Sequence, residues 1–289
     1  MMHQAIKDLL EKYNLQSSND YENALKEIIQ QVALVGLWRA GFYKHAAFYG
    51  GTALRIFYGM QRFSEDLDFT LLKTESKFDF TKYFAAIKEE LSSLGFEISI
   101  FEKEKKNKSN IESAFLKGDT ATNIIEVGAP KEIVEMVPKG KLLKIKFEVD
   151  VNPPGPFETE NKFLLEPIPC SVKLISPTYL FAGKMHALLF RKWKKRVKGR
   201  DWYDLIWFIK KGIPLNLDHL LKRIQQSENY QKKELTKKEL KELYFSSVFN
   251  LDIENAKRDI IPFIKSNKEL DVWSKEFFYS LFDMIKIEF

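Results

Sequence analysis

The chain has 289 residues, room for one large domain or two ordinary ones, and its 45% hydrophobic content suits a sizeable core rather than a disordered polypeptide. A net charge of +6 permits a phosphate-rich partner without requiring one. The single cysteine, Cys170, excludes an internal disulfide and a cysteine-built zinc site. The first residues show no signal-peptide pattern, and no apolar run is long enough to span a bilayer, so the expectation is a cytoplasmic protein with no membrane partner.

Residues 4–14 and 21–40 repeat apolar side chains at helical spacing; Ala24, Ile28, Val32 and Val35 form a stripe on the second. Asp20 is the expected N-cap and Gly41 the expected stop. Residues 46–49 read as a short strand, 52–58 as a helix ending near Gly59, and 67–72 as a strand with Asp66 at its mouth. A helix over 80–94 and a strand over 96–101 follow, then a charge run over 102–110 expected as a loop or hairpin tip. Strands are expected over 123–127, 142–151 and 172–175, with Pro153 and Pro154 ending the second of these. After Ser176 and Pro177, a typical helix start, the pattern becomes helical: 179–193, 202–211, 217–224, 237–247, 253–263 and 272–287. The fold class is therefore α+β, a mixed-sheet domain over 1–175 followed by a helical bundle over 176–289.

Gly50 and Gly51 precede a helix whose first turn carries Thr52 and Arg55. Glycine tolerates positive φ and close approach of the backbone to a phosphate, and a helix start offers unpaired N–H groups. A Gly-Gly pair alone is more often a plain turn. Asp66 and Asp68 change the balance. Two apart on a strand, they share a face and repel each other unless a cation lies between them. Their hard oxygens suit magnesium or manganese. A strand end with two solvated acids is the alternative. A third acid is then expected on a neighbouring strand, and Glu148 and Asp150 share one face of 142–151. Glu148 is slightly favoured, and an ordinary amphipathic strand is the alternative. Acids around two metal ions beside a phosphate turn imply in-line displacement at phosphorus with pyrophosphate leaving. Ser64 either bonds a phosphate oxygen or supports the turn.

In the helical part, Lys184 lies among small and apolar neighbours and can offer a point charge to a triphosphate. Arg191 follows two turns later. Asp201 and Asp204 lie one turn apart; one is expected to orient Lys184 or Arg191, with Asp204 facing the site. A structural salt-bridge network or a snorkelling lysine are the rivals. Seven of the ten residues from Arg191 to Arg200 are basic, and Arg191, Trp193, Lys194, Lys195, Arg196 and Arg200 form a candidate nucleic-acid footprint, with Trp193 available to stack on a base. A solvated loop is the alternative. The four histidines show no paired metal-ligand spacing.

Taken jointly, Gly50 to Arg55, Arg62 to Phe69, the Lys184 helix and Arg200 to Asp204 resemble the motifs of the AbiEii/AbiGii toxin family, within the polymerase-β-like nucleotidyltransferase superfamily. The chain is also similar to two-domain members that join a nucleotidyltransferase domain to a helical bundle. The resemblance implies Asp66 and Asp68 as the metal pair, Glu148 or Asp150 as the third acid, and Lys184 as the triphosphate contact. It further implies Asp204 as a catalytic-site acid, an NTP substrate, a tRNA acceptor and a cognate antitoxin. The site is expected in the cleft between the two parts. Two other outcomes stay open: a transferase of the same fold acting on a small-molecule or protein hydroxyl, and a nucleotide- or RNA-binding module without turnover.

Overall fold

The structure is a computed structural model that describes residues 3–102, 110–120, 122–123, 129–191, 198–228 and 230–289. The chain forms two units. The first comprises Met1–Gly59, Phe63–Pro153 and Glu160–Leu174; the second comprises Met60–Arg62, Pro154–Thr159 and Ile175–Phe289.

In the first unit, α1 (Gln4–Leu10) and α2 (Ser18–Arg39) lead into β1 (Ala46–Tyr49), α3 (Gly50–Tyr58) and β2 (Leu67–Leu71). Then come α4 (Phe84–Ser93), β3 (Ser99–Glu102), β4 (Ile111–Asp119), α5 (Lys131–Glu135) and β5 (Leu142–Asp150). Strands β6 (Thr159–Leu164) and β7 (Cys170–Ile175) complete a mixed seven-stranded sheet in the order β3-β4-β5-β2-β1-β7-β6. Helix α2 begins in a capping box: the Ser17 hydroxyl accepts from the Asp20 N–H while the Asp20 carboxylate accepts from the Ser17 N–H at 2.9 Å. Ser17 is thus the N-cap, and Asp20, expected in that role, is its partner three residues on. Gly36 lets α2 and α4 touch, because a Cβ there would stand 2.8 Å from the Ile87 Cα.

A row of rings fixes which face of the central strands points inward. Phe48 stacks on Phe69 at 4.9 Å, and Phe69 on Phe147 at 5.0 Å, all three fully buried. Burial of each such side chain is worth about 1.5–3 kcal/mol. A one-residue slip would turn the whole set outward, so the rings also fix the register. By alternation Asp68 and Glu148 must then point to the other face.

Two strands escape the sequence pattern. The buried residues of β4 include the small Ala114 and Gly118, which give little apolar signal. Strand β6 is a mostly polar edge strand in which only Leu164 is buried. Of the strand expected over 123–127, residues 124–127 lie outside the described residues, as do 103–109 of the expected charged loop.

The second unit contains α6 (Pro177–Phe190), α7 (Gly199–Lys211), α8 (Leu217–Ser227), α9 (Lys237–Phe249), α10 (Ile253–Ile260) and α11 (Lys275–Leu281). Ser176 occupies the N-cap position of α6 without a side-chain capping bond, and Pro177 lies in the first turn. The helix expected over 272–287 is shorter, because a 3-10 turn at Phe282–Met284 follows it and Ile287–Glu288 pairs as a strand with Leu215–Asn216. Phe181 stacks on Phe208 at 4.4 Å, and Trp202 meets Phe278 at 4.8 Å, so aromatic packing ties the helices together. Among the described residues no helix is long and apolar enough to cross a membrane.

Candidate active site

Asp68 occupies the middle of a three-strand register. It lies level with Tyr49 on antiparallel β1 and level with Glu148 on parallel β5. Asp150, the other candidate, is two pairs further along, level with the buried Thr70. Gly50 follows Tyr49 at φ +86, and a Cβ on it would stand 2.4 Å from the Asp68 Oδ2. The glycine is therefore required twice, by its backbone conformation and by the carboxylate lying against it. Gly51 and Thr52 are buried beside it. The Thr52 hydroxyl donates to the carbonyl of Asp66, tying the helix start to the residue that opens β2.

Helix α2 supplies the polar anchors for the approach to β2. Gln30 donates to the Ser64 carbonyl at 3.1 Å, and Lys26 pairs with Glu65 at 3.2 Å. Arg55, expected among the nucleotide-binding residues, pairs with Glu27 at 2.6 Å and lies 4.3 Å from the Phe63 ring centroid. Its guanidinium thus braces the same segment.

Glu148 pairs with Lys146 at 2.6 Å and accepts from the Ser113 hydroxyl at 3.3 Å. Asp150 accepts from the Asn152 N–H at 2.9 Å. Among the described residues no three acidic, histidine or cysteine side chains converge on one cation position. The expected three-acid cluster is therefore present as a register of strands but is not closed around a centre, and Lys146 holds the Glu148 carboxylate.

The second unit carries a buried cation–anion–cation arrangement. Arg62 grips Asp204 through Nε–Oδ1 and Nη2–Oδ2, both 2.6 Å. Lys184 Nζ meets the same Oδ2 at 2.7 Å. The Asp204 side chain is 0% exposed and that of Arg62 2%, whereas that of Lys184 is 18% exposed. Burial alone would push the Asp204 carboxyl up, but the charges of Arg62 and Lys184 outweigh it and hold the acid below its ordinary 3.8. Asp204, expected to face the site and to be one of two acids that could orient Lys184 or Arg191, is buried, with Oδ1 and Oδ2 held by Arg62 and Oδ2 also by Lys184.

Around this group lie more cations. Arg191 pairs loosely with Asp201 at 3.5 Å. Lys198, at the start of α7, is pushed down to about 8 by burial and then by the charge of Arg191, with Arg200 and Lys184 adding to the effect and Asp201 opposing it. Arg200, expected in the nucleic-acid footprint, lies 3.9 Å from Asp259 and 4.3 Å from the Phe263 ring centroid. Trp193, Lys194, Lys195 and Arg196 lie outside the described residues. His186 is a packing residue: it bonds the Ser227 hydroxyl at 2.7 Å and is pushed down to about 4 by burial.

Sequence reasoning placed Arg62 in a motif but missed its pairing with Asp204, and it did not single out Lys198. Arg62 carried a weak signal, an arginine two residues before Ser64 in an otherwise apolar and acidic stretch. Lys198 was hidden within a run of basic residues.

The first unit thus joins a mixed sheet, a glycine turn and two acids level with each other on parallel neighbouring strands. The family model "Nucleotidyl transferase AbiEii toxin, Type IV TA system" matches residues 32–279, and the chain belongs to that family. It is thereby a nucleotidyltransferase of a toxin–antitoxin class whose members take an NTP and are paired with an antitoxin. Two solved structures from Helicobacter pylori are similar to it. One, a candidate nucleotidyltransferase, has 20% identity and a TM-score of 0.45, covering 89% of this chain and 91% of its own. The other, JHP933, has 18% identity and a TM-score of 0.44, covering 90% and 93%. No curated protein matches the chain.

Proposed function

We propose that this protein moves a nucleotide from an NTP to a hydroxyl of an RNA, a tRNA end in the first instance, with release of pyrophosphate. The observation that carries this reading is the level pairing of Asp68 with Glu148 on parallel strands, with Gly50 shaped to admit the Asp68 carboxylate. The acceptor hydroxyl releases its proton to water as its oxygen bonds to the α-phosphorus, the bond to the bridging oxygen breaks, and the β- and γ-phosphates leave together as pyrophosphate.

Asp66, Asp68 and Glu148 offer the hard carboxylate oxygens that a divalent cation takes, and Asp68 and Glu148 are register neighbours on one face, although the three are not closed around one position. Magnesium or manganese bound there would neutralise the triphosphate and the departing pyrophosphate. The chain's own part is to position. The N–H groups after Gly50 and Gly51 open α3 and would bond a phosphate placed there. The Thr52 hydroxyl keeps Asp66 in place, and Gln30 and Lys26 hold Ser64 and Glu65 behind it. Within the second unit, Asp204 and Arg62 fix the direction of the Lys184 ammonium, a charge suited to a phosphate.

Incubation with α-labelled NTPs, magnesium and total RNA tests the reading, with the Asp66→Ala protein as control. Label in RNA that disappears in the control supports it; no label from any of the NTPs sinks it.

A further inference from the structure

The sheet face that carries Asp68 and Glu148 continues outward along three strands. Alternation places Lys144 and Lys146 on the same side of β5 as Glu148. The register then sets Phe115 beside Lys146 and Lys117 beside Lys144 on β4, and Phe101 beside Phe115 on β3. The reverse side of these strands is core, with Ala114, Leu116, Leu143 and Ile145 buried. On the outward side, among the described residues, Phe101 is 49% exposed, Lys144 is exposed as well, and Phe115, Lys117 and Lys146 are half-buried. Lys117 Nζ lies 4.6 Å from the Phe101 ring centroid, and Lys144 Nζ lies 4.1 Å from that of Phe115. Lys146 joins this strip to the acids through its 2.6 Å pair with Glu148.

We propose that this lysine–phenylalanine strip receives the single-stranded end of the RNA acceptor; the assignment rests on the nucleotidyltransferase reading. The physical case has three parts. First, the strip begins at the acids. Lys144 is four residues from Glu148 along β5, about 13 Å at strand spacing, so a chain lying on it delivers its terminal hydroxyl toward Asp68. Second, lysines alternating with flat rings match what a single strand offers, phosphates on one side and unpaired base faces on the other. A duplex hides those base faces in its own stack, and an acidic peptide has no use for the rings. Third, the lysine contacts with the rings are exchangeable. An exposed cation–π contact is weaker than a base stacked on the same ring. Lys117 and Lys144 can therefore swing from ring to phosphate as a base takes their place.

Fluorescence anisotropy with a labelled single-stranded RNA dodecamer and with the blunt duplex of the same sequence tests this. The wild-type protein should bind the single strand more tightly than the duplex. The Lys117→Gln/Lys144→Gln protein should bind it roughly tenfold more weakly, with the slope of log affinity on log salt flattened by about 1.4. Phe101→Ala should weaken binding by roughly tenfold and leave the salt slope unchanged. Calorimetric binding of ATP and magnesium should be wild-type in both variants, which shows that their fold and nucleotide site are intact. Affinities within twofold of wild type in either variant, or a duplex bound as tightly as the single strand, overturn the proposal. A wild-type protein that binds the RNA through the strip but transfers no nucleotide would instead count against the nucleotidyltransferase reading.

Discussion

Arg62 and Asp204 form a two-point fork, Nε to Oδ1 and Nη2 to Oδ2 at 2.6 Å each, with both side chains sealed from solvent. The Asp204 Oδ2 also meets Lys184 Nζ at 2.7 Å. Two positive charges around one negative charge leave the group with a net positive charge, and its most exposed member is the Lys184 ammonium. Removing one partner of a buried pair strands the other charge, at a cost of about 3–5 kcal/mol, whereas replacing both with apolar groups is often neutral. Arg62→Met should therefore destabilise the protein by about that amount in chemical denaturation. The Arg62→Met/Asp204→Leu protein should recover most of the stability yet keep a raised KM for NTP, because Lys184 has lost its mount. Full recovery of both would show that the fork is only structural.

Lys184→Met leaves the fork in place. Stability should change by less than about 1 kcal/mol, as for a partly exposed pair. The KM for NTP should rise by about tenfold or more. A KM equal to that of wild type would remove Lys184 from the nucleotide contacts.

The same fork sets an acid limit. Asp204 titrates below its ordinary 3.8 in the folded protein, so the stability it contributes is fully present above that value and is lost as pH falls through the lower folded one. The stability difference between wild type and the Arg62→Met/Asp204→Leu protein should be flat from neutral pH down to about 5 and should shift against wild type only below pH 3.8. A shift already complete by pH 5 would contradict the assigned direction.

Gly50→Ala tests the contact with Asp68. The left-handed backbone costs a non-glycine residue roughly 1–2 kcal/mol, and the new methyl would stand 2.4 Å from the Asp68 Oδ2. Transfer should fall by about a hundredfold, the scale of an ångström's misplacement. Gly59→Ala is the matched control: its φ is +74, but a Cβ there meets nothing within 4 Å. It should lose similar stability and keep its activity.

Lys198, at about 8, is half neutral near pH 8 and should be acylated faster than the exposed lysines of α7, Lys210 and Lys211. ATP with magnesium should slow that labelling severalfold by mass spectrometry, because an anion beside Lys198 favours its charged form. Labelling unchanged by ATP would place Lys198 outside the nucleotide's reach.

Much of the fold was legible because its strongest elements are periodic. The stripe on α2, the alternation of Phe147 and Val149 against Glu148 on β5, and the Gly50 turn all follow from local pattern. What the sequence could not supply was long-range register. Glu148 and Asp150 share a face, and only the pairing of β2 with β5 puts Glu148, and not Asp150, level with Asp68. Burial was equally hidden. Asp204 reads as an acid facing the site at sequence level, and its enclosure by Arg62 depends on residues far apart in the chain. Strand β6 was missed because an edge strand has little apolar face to show.

The most direct test of the account is label transfer from α-labelled NTP to RNA, in magnesium, by wild type, Asp68→Ala, Glu148→Gln and Asp150→Asn. The account predicts transfer by wild type, none detectable by the first two variants, and activity within a few-fold of wild type for Asp150→Asn. Undiminished transfer by Asp68→Ala, or loss in Asp150→Asn with Glu148→Gln unaffected, would contradict it.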